Sequence, residues 1–236
     1  MGTLNASKEQ LLKEINKTLR TAVSQFYYYP HLFFNENGFR DYLFAVFYRN
    51  KFFSTSNLIT TKDGKKTNLV HPEYPSYERV PEKWRAWYDM VILNPEFIKN
   101  NEYSRVVNKN IALNKKFSYK NDDLLAVIEL KYILSKSNIY KRQLKKDYNS
   151  LKNAKEALVK YMVVFSSIKD DKDFFSDIQF NDNFRLVYVK VHFDNKNKKK
   201  VEVLIKPNNF LNLPKYWLKN INSSSVQHTT SLHNPK

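Results

Sequence analysis

The chain has 236 residues, with 40 Lys+Arg against 23 Asp+Glu, a formal net charge of +17 and no cysteine. That length suits one sizeable core; the missing cysteines exclude disulfides and thiolate zinc sites and fit a reducing, cytoplasmic setting. No stretch offers the ~18 apolar residues of a membrane helix, the N-terminus does not read as a signal peptide, and the cationic excess makes a polyanion the expected partner, with membrane-surface attraction and A·T-rich coding as the competing explanations.

In chain order, residues 7–29 carry Leu11, Leu12, Ile15, Leu19 and Val23 at helical spacing, and Pro30 ends the run, so an amphipathic N-terminal helix is expected. A second helix is expected over 33–50, where Glu36 shares a face with Phe39, Leu43 and Phe47 and is aimed inward; an ion pair with Arg40 one turn on is the alternative. Residues 52–67 read as polar loop. Within them KDGKKT echoes a phosphate-binding loop but fails it, since Lys66 stands where Ser or Thr is needed and Ile59 where the first Gly is needed. Glu73, in the strand VHPEYP, is a candidate acid, with an exposed or capping carboxylate as the plainer reading.

WRAWYDMVILNP, residues 84–95, reads as a strand stopped by Asn94-Pro95. Asp89 interrupts it, and an acid in a strand interior needs a partner, either Arg85 on the same face or a cation shared with another carboxylate. Residues 96–123 are expected to be one long basic loop beside the ligand, solvated surface being the alternative. LLAVIELKYI, 124–133, is an apolar strand carrying Glu129 and Lys131 two residues apart, hence on one face. Burying one such charge costs several kcal/mol unless it is compensated. The two could simply neutralise each other, or they could face a shared site with Asp89. A helix over 139–154, a strand over 160–167 and a hairpin over 183–206 with the basic tip DNKNKKK follow; 221–236 is expected to be a disordered tail. The aromatic residues mostly suit core positions, although some could stack on bases. The five histidines (31, 71, 192, 228, 233) show no metal-binding spacing, and no internal repeat is present.

An Asp on one short strand followed after a spacer by Glu-x-Lys on the next resembles the PD-(D/E)XK nuclease superfamily, the restriction-endonuclease-like fold. HPEYPSYERVPEKWRAWYDMVIL resembles that superfamily's first strand, loop and Asp-bearing second strand; IYKRQLKKDYNSLKNA resembles its following helix, with Gln143 near the start; and FFNENGFRDYLFAVFYRN resembles its first core helix, with Glu36 at the position of an acid. The resemblance spans about residues 33–168. Two positions depart from it. Tyr88 precedes Asp89 where the pattern's name has Pro, and Asp147 stands four residues after Gln143 where the helicase-associated branch shows Tyr.

The resemblance implies an α/β fold, an αβββαβ core with a mixed central sheet flanked by helices. To this the chain would add the N-terminal helix and the C-terminal hairpin within a single domain spanning 1–220. It implies a Mg²⁺-dependent deoxyribonuclease, with Mn²⁺ substituting, that often works as a homodimer. Asp89, Glu129, the carbonyl of Leu130 and Glu36 would hold the ion. Lys131 would orient water or hold the phosphate, staying charged beside two carboxylates, and Gln143 would bond a phosphate or a metal-bound water, an exposed helix position being its alternative. Two other functions compete: an inactive relative that only binds nucleic acid or a partner protein, and an unrelated α/β protein in which Glu129–Lys131 and Asp89–Arg85 are plain ion pairs.

Overall fold

The computed structural model describes residues 6–31, 35–75, 87–107, 122–133, 138–167, 175, 178–193 and 199–218, with 138–140 and 216 described by backbone alone. Helix α1 (Lys8–Tyr28) begins where Ser7 Oγ accepts the Gln10 N–H at 3.1 Å, and it buries Leu11, Ile15, Leu19, Val23 and Phe26 along one stripe. Helix α2 (Glu36–Arg49) is capped by Asn35, whose Oδ1 accepts the Gly38 N–H at 2.8 Å, and it buries Phe39, Leu43, Val46 and Phe47. Glu36 therefore occupies the first helical position, where the helix dipole favours a carboxylate.

The polar segment that follows is more ordered than its composition suggests. It holds a 3-10 turn (Thr55–Asn57) and a small antiparallel pair, β1 (Ile59–Thr60) with β2 (Lys66–Thr67). Gly64, at φ 80°, makes the reversal between them. Strands β3 (Val70–Pro75) and β4 (Trp87–Leu93) come next.

The expected long loop at 96–123 is corrected in its first part: α3 (Pro95–Asn100) and α4 (Tyr103–Val107) occupy it, and 108–121 lie outside the described residues. Asn94-Pro95 ends the strand and also starts a helix. Asn94 Oδ1 accepts the Glu96 N–H at 3.1 Å, and Pro95 supplies a first-turn φ with no N–H to satisfy.

The remaining elements are β5 (Leu124–Ile133), α5 (Asn138–Asn153), β6 (Ala157–Ser166), β7 (Phe184–Phe193) and β8 (Lys199–Lys206). Strands β3 to β8 form one mixed sheet in sequence order. β5–β6 and β6–β7 are parallel, and the other neighbours are antiparallel.

Helices cover both faces. Phe165 of β6 stacks on Phe26 of α1 and packs against Phe39 of α2, with centroids 4.2 Å apart in each case. On the opposite face Tyr148 of α5 stacks on Phe184 of β7 at 5.2 Å. Two-sided cover explains why β5 is buried from Leu124 through Leu130, a run apolar at every position but Glu129 rather than an alternation. The β7–β8 hairpin forms with Phe193 opposite Lys199; its tip at 194–198, and the tail at 221–236, lie outside the described residues. No helix among the described residues is long and apolar enough to cross a membrane.

Candidate functional site

The β4–β5 ladder ends at Met90 opposite Ile128. Beyond it β4 stays with β3, where Tyr88 pairs with Tyr74, and β5 stays with β6, where Lys131 pairs with Val164. The sheet forks at that point, and the next residues on the two arms are Asp89 and Glu129. They continue the register as facing residues on one side of the sheet, the side covered by α5.

A fork leaves backbone donors without a strand partner, and buried N–H groups need one. Carboxylates fill the role here. Asp89 Oδ2 accepts the Leu130 N–H at 2.8 Å, and Glu36 Oε2 accepts the Tyr132 N–H at 3.4 Å. These are successive amides on the β4-facing edge of β5, so Glu36, carried by the start of α2, stands where β4 would otherwise continue. In an antiparallel arrangement a residue's N–H and C=O point to the same neighbour, so the Leu130 carbonyl is also directed into the fork.

Like charges facing each other across a pair of strands repel. The Asp89 carboxylate therefore opposes ionisation of the Glu129 carboxyl. Burial, then the charges of Asp89 and Asp147 and a hydrogen bond with Asp89, push its pKa well above the usual carboxylate range, and Lys131 offsets them only in part. Glu36 is raised as well, chiefly by burial and further by Asp89, against the pull of Lys131.

Lys131 projects beside these acids. Its Nζ lies 3.2 Å from Glu36 Oε2 and 3.0 Å from Asp147 Oδ2. Burial alone would lower its pKa, but Asp147 and Glu36 outweigh burial and hold the ammonium charged, above its ordinary value. The site thus gathers Glu36, Asp89, Glu129 and Asp147 around one lysine, an acidic pocket in a chain of net charge +17.

The structure brings together Asp89, Glu129, Lys131, Leu130 and Glu36, drawn from α2, β4 and β5. Glu36 does not pair with Arg40; Arg40 Nη1 instead meets Glu73 Oε1 at 2.9 Å. The pairing on either side places Glu73 opposite Asp89 on β3, but its backbone turns through φ 48° and its carboxylate stays mostly exposed. Gln143 lies exposed on α5, outside the pocket. One turn further on, Asp147 reaches Lys131 instead. Its position is readable in the sequence as the inward stripe of α5, shared with the buried Leu144 and Leu151. Arg85, the other suggested partner of Asp89, lies outside the described residues. His71 Nε2 meets the Asn68 carbonyl oxygen at 2.8 Å, a local structural contact.

Among the described residues no three His, Cys, Asp or Glu side chains form a ready-made cation cage. The donor set still fits a hard divalent ion, which takes oxygen ligands, commonly one or two carboxylates with its own waters. Asp89, Glu129 and the Leu130 carbonyl are such a set. Comparison with known proteins gives no match: no family model, curated protein or solved structure is significantly similar to the chain.

Proposed function

We infer that the chain is a divalent-cation-dependent nuclease of the restriction-endonuclease-like kind, hydrolysing phosphodiester bonds in DNA. One observation carries the reading: Asp89 and Glu129 face each other at the fork, with Lys131 two residues beyond Glu129 on the same side. With the β1–β2 pair as an insertion before β3 and α3 and α4 as insertions between β4 and β5, the order α2, β3, β4, β5, α5, β6 follows the αβββαβ pattern and supports it.

Asp89, Glu129 and the Leu130 carbonyl would hold Mg²⁺, or Mn²⁺ in its place, which supplies an acidified water and neutralises phosphate charge. A cation bound there would favour the ionised form of Glu129. Lys131 stays an ammonium, so it orients the attacking water or steadies a phosphate oxygen and does not act as a neutral base. Glu36 and Asp147 fix where that ammonium points.

The test is cleavage of supercoiled plasmid and branched DNA with Mg²⁺ or Mn²⁺. Asp89→Ala and Lys131→Ala should each slow cutting by roughly 100-fold or more. Cleavage that survives Asp89→Ala refutes the mechanism. The clamping of Lys131 between two carboxylates favours a second reading, an inactive relative in which the network is structural. Metal-independent DNA binding without cutting would identify it.

A further inference from the structure

At the same end of the sheet as the fork, the C-terminal turn of α1 and the end of β7 leave an aromatic surface uncovered. Tyr28, Tyr29 and Phe193 are 51%, 62% and 47% exposed. With Pro30, His31 and Lys199 they line a cleft of about 490 Å³. Exposed aromatic rings grouped in one cleft offer flat faces to a ligand.

Two features say what kind. The flat faces are already arranged for stacking: His31 lies parallel to Phe193, with centroids 5.7 Å apart and planes 5° from parallel, and Tyr27 stacks on Trp217 at 4.0 Å and 8° just beneath. The charge is cationic. Lys199 lines the cleft, and among the described residues no carboxylate does. Lys199 Nζ donates to the carbonyl oxygens of Tyr27 and Tyr28, which fixes its charge at the end of α1, where a helix dipole favours a cation. The surface is also tied to the pocket. Tyr132, next to Lys131, donates its hydroxyl to the Pro30 carbonyl at 3.4 Å, so one tyrosine spans the two.

We propose that this cleft is a stacking platform for the unpaired bases of a nucleic-acid strand, so that the substrate is single-stranded or carries a single-stranded end beside the phosphate presented to the fork. The choice of nucleic acid rests on the nuclease reading. Aromatic faces accept any base, while duplex DNA keeps its base faces stacked inside and offers only backbone and groove edges.

The test is metal-free binding in chelator, read by fluorescence anisotropy with a labelled oligothymidine and a labelled hairpin duplex. The double variant Tyr29→Ala/Phe193→Ala should lose roughly 10- to 100-fold in affinity for the oligothymidine, and less than about twofold for the duplex. Tyr29→Trp/Phe193→Trp should restore strand binding, and an unchanged melting temperature shows that the fold is intact. No oligothymidine binding by the wild-type chain, equal losses for both DNAs, or no loss at all overturns the proposal. So does a wild-type dimer that the double variant abolishes in sedimentation, or binding to anionic phosphatidylserine vesicles that oligothymidine does not displace. Strand-selective loss in a protein that never cuts DNA upholds the platform and refutes the nuclease; cutting by a protein without that selectivity does the reverse.

Discussion

Replacing Glu129 by glutamine tests the electrostatics of the fork directly. In the folded chain Glu129 holds its proton to higher pH than in the unfolded chain, where it titrates near 4.5, because burial, Asp89 and Asp147 all oppose its charge. Between those two pKa values the native state binds more protons than the unfolded state, so native stability falls as pH rises. The loss is about 1.4 kcal/mol for each pH unit in that window, or roughly 3–6 °C in melting temperature for a chain of this size. The Glu129→Gln side chain would keep a donor toward Asp89 at every pH and carry no such penalty. Glu36 contributes a slope of the same sign in both proteins and largely cancels in the difference. Thermal melts in EDTA from pH 4 to 8 should therefore coincide at the acid end and diverge upward, the variant becoming the more stable. Adding Mn²⁺ should raise the stability of the wild type alone, by about 2.7 kcal/mol at a hundredfold excess over its Kd. Parallel melting curves across that pH range would refute the reasoning, since Glu129 would then titrate alike in both states.

Other substitutions probe the frame around the pocket. Asp147→Ala removes one of the two anions holding the mostly buried Lys131 ammonium and should cost about 1–3 kcal/mol, read as a lower urea midpoint. Arg40→Ala breaks a pair whose acid is 58% exposed and should cost less than about 1 kcal/mol in the same assay. Asn94→Ala deletes the cap of α3 and a 2.8 Å hydrogen bond to the Asp122 carbonyl, so it should cost about 1–2 kcal/mol and speed hydrogen exchange at the Glu96 amide.

The elements of this fold were legible where one local signal dominates. The helical spacing of Leu11, Ile15, Leu19 and Val23 dictates α1, and the apolar run of LLAVIELKYI dictates a covered central strand. Period-two geometry likewise places Glu129 and Lys131 on one face with no tertiary information. Local signals misled where a residue has two uses. Asn94-Pro95 stops a strand, and the same pair starts α3, which shortens the loop expected after it.

Which charges meet depends on the assembled fold. Arg40 is one turn from Glu36 and could reach it, yet the fork draws Glu36 toward the Tyr132 amide and Lys131 and leaves Arg40 to Glu73. Asp147 is far from Lys131 along the chain, and only the return of α5 across β5 brings it within 3.0 Å. Residue type and periodicity singled out Asp89, Glu129 and Lys131 and the strands that carry them, but not Asp147. That β4 and β5 part company at Asp89 and Glu129 is visible only in the folded sheet, because strand separation depends on what each arm finds to pair with on its far side.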